Sequence, residues 1–295
     1  MPEAPYFSII MPAYNRASMI DKAIESIIKQ TFPDWELIII DDASEDNTEE
    51  VVRQFNEPRI VYLKNISNIE RSASRNKGID SAKGEFICFL DSDDYFKHNR
   101  LEILFNAIEE RKKPVALFYT DIIFEKEGAT VLTKEYSKVC KDIYERIILE
   151  IIGTPQVCIH RNILAAIKFN EKYNLAEDLD LWTRIAIAHE FIYIQSLSVV
   201  AVEHSSRSIN SDENHFLKSL LVVKNIFNDK NIRHRIKRRI RHESLSTVYY
   251  KIGLFYFNNS LKYKSLSNLL RSFFLLPFNS RTKHILTLIF SLIFK

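Results

Sequence analysis

Phe86-Ile87-Cys88-Phe89-Leu90 runs without a break into Asp91-Ser92-Asp93-Asp94. Five successive apolar residues, with no polar alternation, predict a strand buried on both faces. The carboxylates that follow repel one another and are costly to hold together unless a cation compensates them. Hard divalent ions such as Mg2+ or Mn2+ take oxygen ligands, commonly one or two carboxylates plus the phosphates of a substrate. The competing interpretation is a solvated acidic turn capping a helix near Asn99-Arg100-Leu101. The position of the acids directly after a buried strand favours the metal, because ligands of parallel sheets sit beyond the carboxyl ends of the strands.

Outward from this junction, strand and helix patterns alternate. Phe7-Ser8-Ile9-Ile10-Met11 reads as a strand stopped by Pro12. Leu37-Ile38-Ile39-Ile40 is a second, ending at Asp41-Asp42, and Ile60-Val61-Tyr62-Leu63 is a third. Residues 17–30 place Met19, Ile20, Ala23, Ile24, Ile27 and Ile28 at helical intervals. Residues 48–55 and 72–82 read as further helices, the latter stopped by Gly84, and 115–124 as a fifth strand. The alternation predicts an α/β fold with a mostly parallel central sheet and helices on both faces. Pro12-Ala13-Tyr14-Asn15, Asp41-Asp42 and the acidic run at 91–94 then converge on one edge. There Asp41-Asp42 could accept from a base N–H or a ribose hydroxyl, and Tyr14 could stack on a flat ring. The plainer alternatives are an N-cap at Asp46 or Thr48 and ordinary packing of the tyrosine.

The chain has 295 residues, 46% apolar and 27% charged, as expected of one large domain or one domain with an appendage. Its 5 glycines, Gly78, Gly84, Gly128, Gly153 and Gly253, provide neither G-x-G-x-x-G nor G-x-x-x-x-G-K spacing. Phosphates are therefore not handled by a Rossmann turn or a P-loop. Cys88, Cys140 and Cys158 form no C-x-x-C, so neither a disulfide framework nor a zinc cage is expected, and a reducing compartment fits. Met1-Pro2-Glu3-Ala4-Pro5 lacks the basic and apolar regions of a signal peptide. Of the 41 Lys+Arg and 38 Asp+Glu, residues 230–295 hold 14 and 1, leaving 27 and 37 in residues 1–229. An acidic catalytic or binding body, 1–229, and a basic extension that meets something anionic, 230–295, are expected.

Taken together, the junction motifs resemble a known family. Ile9-Ile10-Met11-Pro12-Ala13-Tyr14-Asn15-Arg16 is followed by Ile38-Ile39-Ile40-Asp41-Asp42-Ala43-Ser44-Glu45-Asp46-Asn47-Thr48. Ser74-Arg75-Asn76-Lys77-Gly78-Ile79 and Phe89-Leu90-Asp91-Ser92-Asp93-Asp94 complete the order. This succession resembles the family 2 glycosyltransferases of the GT-A fold, a nucleotide-diphospho-sugar transferase fold whose D-x-D motif holds a divalent metal on the diphosphate. Carried over, the resemblance implies that Pro12, Tyr14 and Asp42 contact the nucleobase, Asp91 faces the ribose and Asp93 ligates Mn2+ or Mg2+. Asn15, Arg75 and Ser92, within the same motifs, join the donor-binding set.

Ala176-Glu177-Asp178-Leu179-Asp180-Leu181-Trp182 resembles the family's E-D motif, whose aspartate is the general base of inverting members. The resemblance makes Asp178 the base and Glu177 its neighbour or an acceptor contact. The alternative is a helix N-terminal turn, where acids favour the dipole. Val202-Glu203-His204-Ser205-Ser206-Arg207-Ser208 lies where relatives place a histidine and a basic residue. His204 would complete the metal shell or meet phosphate, and Arg207 would pair with the diphosphate. A surface histidine is the simpler alternative. One departure is the absence of the glycine that relatives often carry before Ala73-Ser74-Arg75-Asn76. Arg71 fills that stretch and could itself reach phosphate.

From residue 230 the pattern changes. Arg233, Arg235, Lys237, Arg238, Arg239 and Arg241 precede two apolar stretches, 269–278 and 285–294. Each is about ten residues, short of the roughly 20 that span a bilayer. Basic residues beside Phe- and Leu-rich faces suit helices lying in an anionic interface. Peripheral attachment at the cytoplasmic face of the cell membrane is expected, where a lipid-linked acceptor would be met. The alternative is a helical subdomain packed on the body or on a second copy in a homodimer. No nucleic-acid motif accompanies the charge, so no such partner is expected.

The expected activity is metal-dependent, inverting transfer of a sugar from a UDP-linked donor to a hydroxyl of a cell-surface glycan or lipid-linked acceptor. The alternatives are a metal-dependent nucleotidyltransferase and a non-catalytic nucleotide-sugar-binding protein. Against the former, Ala13-Tyr14-Asn15-Arg16-Ala17 is not a Gly-rich loop.

Overall fold

A computed structural model describes residues 4–136, 142–204 and 213–294. Apolar runs become strands and amphipathic runs become helices in the predicted order. The chain begins β1 (Phe7–Ala13), α1 (Ile20–Ile28), β2 (Trp35–Asp41), α2 (Thr48–Arg53), β3 (Ile60–Lys64), α3 (Glu70–Ser81) and β4 (Phe86–Phe89). β5 (Tyr95–Phe96), α4 (Arg100–Glu110), β6 (Leu117–Thr120), β7 (Ile122–Lys126) and β8 (Ala129–Lys134) follow. Next come α5 (Ile143–Glu145), β9 (Val157–His160), α6 (Arg161–Ala166), α7 (Glu177–Ile185), β10 (Phe191–Ile194) and β11 (Val199–Glu203). The described chain ends with α8 (Glu213–Asn228), α9 (Lys230–Arg233), α10 (Arg238–Asn258), α11 (Lys262–Leu275) and α12 (Thr282–Phe294).

Two compact units are built from interleaved segments. The first comprises Met1–Lys141, Ile152–Asn174 and Arg184–Arg207, and the second Asp142–Ile151, Leu175–Thr183 and Ser208–Lys295. The first unit carries a seven-stranded sheet of order β10-β6-β9-β4-β1-β2-β3. It is parallel apart from β9, which runs antiparallel to both β4 and β6. Every residue of β2, β4, β6 and β9 is buried, so both faces of the centre are covered. This is the α/β architecture expected from the uninterrupted apolar runs. A second, four-stranded sheet has the order β5-β11-β7-β8.

Two local expectations are corrected. Pro12 does not stop the first strand, which continues to Ala13 with Pro12 opposite Ile40. Ile10 O accepts from Leu90 N, whereas Ala13 O accepts from Asp42 N. Strand alternation therefore turns Pro12 nitrogen toward β4, where ladder pairing has already ended at Ile10 and Phe89, and no donor is lost. The run 115–124 is not one strand. It breaks at Asp121 into β6 and β7, which enter different sheets.

Helix α3 approaches β1 closely because Gly78 lacks a side chain: a Cβ there would meet Ile10 Cγ2 at 2.5 Å. In the second unit, α10 and α11 pack antiparallel along small residues. Ser246 Oγ donates to Ser272 O at 2.9 Å, Ser272 Oγ to Ser246 O at 2.7 Å, and Ser265 Oγ to Gly253 O at 2.9 Å. The expected helical character of the C-terminal region is present, and among the described residues no helix is long and apolar enough to cross a membrane.

Candidate active site

Successive parallel strands β1, β2 and β3 step one way across the sheet, while β4 lies on the other side of β1. The crevice at that reversal, outside the carboxyl ends of β1 and β4, is where such sheets admit a ligand. Three of the predicted clusters lie at these strand ends: Pro12 to Asn15 across the end of β1, Asp41-Asp42 across the end of β2, and Asp91 to Asp94 after β4.

The turn after β4 is held from three directions. Arg75, 2% exposed on α3, donates from Nη2 to Asp91 Oδ1 at 2.7 Å and approaches Thr154 Oγ1 at 3.4 Å. Its guanidinium also lies 5.4 Å from the Phe169 ring centre. Arg75 therefore sits beneath the site and orients Asp91. Ser92 is buried within the turn. Asp94 is buried, and its Oδ1 accepts from Val202 N at 2.9 Å, tying the turn to β11. That tie delivers His204, whose Nε2 lies 2.9 Å from Asp93 Oδ2 with side-chain exposures of 15% and 11%. Two residues 111 apart in sequence thus present a carboxylate oxygen and an imidazole nitrogen side by side.

A divalent cation fits this donor set in part. Among the described residues no cluster of three or more potential ligands occurs. Asp93 and His204 would contribute two protein donors, and Mg2+ or Mn2+ ordinarily completes its shell with substrate phosphates and water.

The β2 end is equally organised. Asp42 Oδ1 accepts from Asn65 Nδ2 at 2.8 Å and from Ile69 N at 2.9 Å. Asn65 in turn meets Ser74 Oγ at 3.2 Å and accepts from Lys77 Nζ at 2.7 Å. The neighbouring Asp41 is fully buried: Oδ1 accepts from Ser44 N at 2.7 Å, and Oδ2 accepts from the Tyr62 hydroxyl. Burial and that carboxylate push the Tyr62 phenol well above its ordinary range. Both adjacent acids are buried: Asp41 is bonded within its own loop and to Tyr62, and Asp42 to Asn65 and to the residue that precedes α3. Asn15 and Ala43 occupy the left-handed region, with φ of 52° and 64°. Asn15 N donates to Ser44 Oγ and Glu45 N donates to Asn15 Oδ1, both at 2.9 Å. These bonds clip the two strand-end loops together and leave the Tyr14 ring 43% exposed.

Arg71 lies in the first turns of α3 and is half-buried. Asn76, in the same helix, donates to Phe169 O at 3.0 Å and Glu171 Oε1 at 2.9 Å, and accepts from Phe169 N at 3.0 Å. In the second unit, Glu177 and Asp178 open α7 immediately after Ala176, whose φ is 55°. Glu177 is buried and Asp178 half-buried, with Leu179 N donating to Asp178 Oδ1 at 2.7 Å. Arg207 lies outside the described residues.

Sequence reasoning missed the supports. Asn65 bonds the predicted Asp42, and Asp94 bonds Val202 N, two residues before the predicted His204. A polar residue directly at the end of an apolar strand was the available signal for Asn65, and the third acid of the 91–94 run was the signal for Asp94.

Glycosyl transferase family 2 matches residues 8–173. The chain belongs to that family. As a family 2 glycosyltransferase it is 27% identical over 278 residues to the GalNAc(5)-diNAcBac-PP-undecaprenol beta-1,3-glucosyltransferase of Campylobacter jejuni, covering 89% of this chain and 86% of the relative. It is 33% identical over 179 residues to UDP-Glc:alpha-D-GlcNAc-diphosphoundecaprenol beta-1,3-glucosyltransferase WfgD of Escherichia coli, covering 60% and 68%. In fold it resembles Staphylococcus aureus TarS 1–349, solved with UDP-GlcNAc, with a TM-score of 0.68 at 22% identity, covering 97% of this chain and 84% of that one. The mannosyltransferase PcManGT of Pyrobaculum calidifontis, solved with GDP-Man and Mn2+, gives 0.63 at 15% identity, covering 99% and 86%. The GT-A architecture is therefore the fold of this glycosyltransferase. These matches do not favour the nucleotidyltransferase or non-catalytic alternatives.

Proposed function

We propose that this glycosyltransferase moves a hexosyl group from a UDP-sugar to a hydroxyl of a glycan carried on a lipid diphosphate, with inversion and with a divalent metal. The adjacency of Asp93 and His204 beside Arg75-anchored Asp91, at the sheet's reversal point, is the observation that carries this reading. The names of the Campylobacter and E. coli relatives supply the acceptor class, and the UDP-GlcNAc complex of TarS agrees with the donor.

In this account Tyr14 and Asp42 hold the base and Asp91 the ribose. Asp93 and His204 would hold Mn2+ or Mg2+, which when bound neutralises the charge of the leaving diphosphate. The sugar C1–O bond to UDP breaks with its electron pair going to UDP, and the acceptor oxygen forms the new bond from the opposite face. Asp178 takes the acceptor proton, as general bases do within hydrogen-bond reach of the hydroxyl. Glu177 is its neighbour on the acceptor side, and Arg71 and Arg207 are further phosphate contacts. The two-domain division at 229/230, with the basic part serving attachment, belongs to the same proposal. So does attachment at the cytoplasmic membrane face: Tyr263 and Phe274 of α11, Phe278 in the link that follows, and Phe290 and Ile293 of α12 are exposed, in a segment that also carries Lys262, Lys264 and Arg271.

The test is UDP release from a panel of UDP-sugars, with Mn2+ and a prenyl-diphosphate-linked acceptor. Acceptor-dependent release should fall by about 10²- to 10⁴-fold in Asp178→Asn. Unchanged transfer by that variant refutes the base, and no release from any donor refutes the reaction.

A further inference from the structure

The cations of the basic C-terminal segment are unequally paired. Arg239 binds Glu243, the one acid of residues 230–295, at 2.9 Å and also reaches Glu145, while Lys237 lies 3.0 Å from Asp142. Arg233, Arg238 and Arg241 instead line, with His242, a cavity of about 510 Å³. Among the described residues none of these three arginines has a carboxylate partner. Arg238 Nε has only His242 Nε2, at 3.4 Å, and Arg241 Nε is buried without an acceptor. Arg238 is also the first residue of α10, a 21-residue helix with no acid in its first turn. A helix N-terminus already carries partial positive charge, so guanidinium groups gathered there raise the electrostatic energy of the empty cavity. An anion relieves it, and a phosphate relieves it best, since guanidinium forks match phosphate oxygens in pairs.

Apart from Asn228, the remaining wall is apolar. Phe227, Leu245 and Leu275 face the same cavity, and Leu245 and Leu275 are continuous with the cluster of Tyr249, Ile252 and Tyr256. A bare inorganic ion makes no use of that wall. An ester that joins phosphate to a hydrocarbon chain uses both. We propose that this cavity, wholly within the second unit, binds the diphosphate group of an isoprenoid diphosphate and so holds the lipid anchor of the acceptor. The assignment rests on the lipid-linked acceptor of the proposed function. The shared chemistry, a diphosphate, could also come from a soluble source.

Titration of the full chain in EDTA, which disables a metal-held donor site, separates these cases. Farnesyl diphosphate should bind at one site, inorganic pyrophosphate more weakly, and farnesol not at all. Arg238→Gln/Arg241→Gln should weaken farnesyl diphosphate about tenfold or more, as expected for lost charge-assisted bonds, while UDP release without acceptor is unchanged. Hydrogen exchange on the unsubstituted chain supplies a test that needs no variant: farnesyl diphosphate should protect amides between 227 and 245. Equal binding of pyrophosphate overturns the lipid assignment. Undiminished binding by the double variant, or protection confined to residues before 204, overturns the site. Binding requires no turnover, so loss of UDP release from every donor refutes the proposed reaction without bearing on this result.

Discussion

Asp121 is fully buried, and its carboxylate accepts from Tyr136 N at 2.8 Å, Tyr193 Oη at 2.7 Å and Ser196 N at 3.0 Å. Two chain segments remote in sequence, at Tyr136 and at Tyr193 to Ser196, are fastened by one side chain at the point where β6 gives way to β7. Asp121→Ala should destabilise the fold by about 2–4 kcal/mol, read from denaturant unfolding, because it strands buried donors. A loss below 1 kcal/mol would contradict this role. Nothing adjacent in sequence marked Asp121, since its donors lie 15 to 75 residues away. Arg100 escaped notice for the same reason. It is fully buried, donates to Thr120 Oγ1 at 2.9 Å and Pro155 O at 2.9 Å, and burial drives its pKa down to about 10. By contrast, Asp91 and Asp93 were legible, because carboxylates crowded at a strand end need a compensating charge wherever the chain folds.

Among the elements, β1, β2 and β4 could be read directly from apolar runs, and their register brings the three polar ends together. β9 could not: its apolar residues find antiparallel partners in β4 and β6, which only the assembled sheet supplies. Helix α3 joins the legible and illegible parts. Its Arg75 supports Asp91, Asn76 clamps the 169–171 loop, and Gly78 sets its distance from β1. Gly78→Ala forces a Cβ against Ile10 and should cost about 1–3 kcal/mol, lowering the thermal midpoint. An unchanged midpoint would show that the sheet yields there. The loop between β2 and α2 depends on Asp46, whose carboxylate accepts from Ala17 N at 3.0 Å and Thr48 N at 3.1 Å. Desolvation raises its pKa, but bonds from Thr48 and Ala17 outweigh this and hold it below the usual carboxylate range. A depressed carboxyl stabilises the fold above the unfolded pKa, and that contribution is lost as pH falls through the folded one. Asp46→Asn should therefore be less stable than the parent at pH 7, with the gap closing below about pH 4. A gap independent of pH would assign the loss to packing.

At the scale of the molecule, the charge asymmetry runs alongside the structural division: the sheet unit holds the strand-end carboxylates, and the helical unit holds the basic C-terminal segment with its exposed aromatics. Composition revealed the asymmetry but not the interleaving, by which 142–151 and 175–183 join the second unit. Full-length protein should float with anionic vesicles and be released by salt, and Phe274→Ser/Phe278→Ser/Phe290→Ser should float severalfold less. Equal flotation would exclude those rings from the membrane contact. The central claim, however, concerns the donor edge, and Mn2+ titration followed by electron paramagnetic resonance, with and without UDP, tests it most directly. Mn2+ should bind more tightly when UDP is present, and Asp93→Asn and His204→Ala should each weaken that binding by about tenfold or more. Mn2+ affinity that ignores UDP and survives both substitutions would contradict the account.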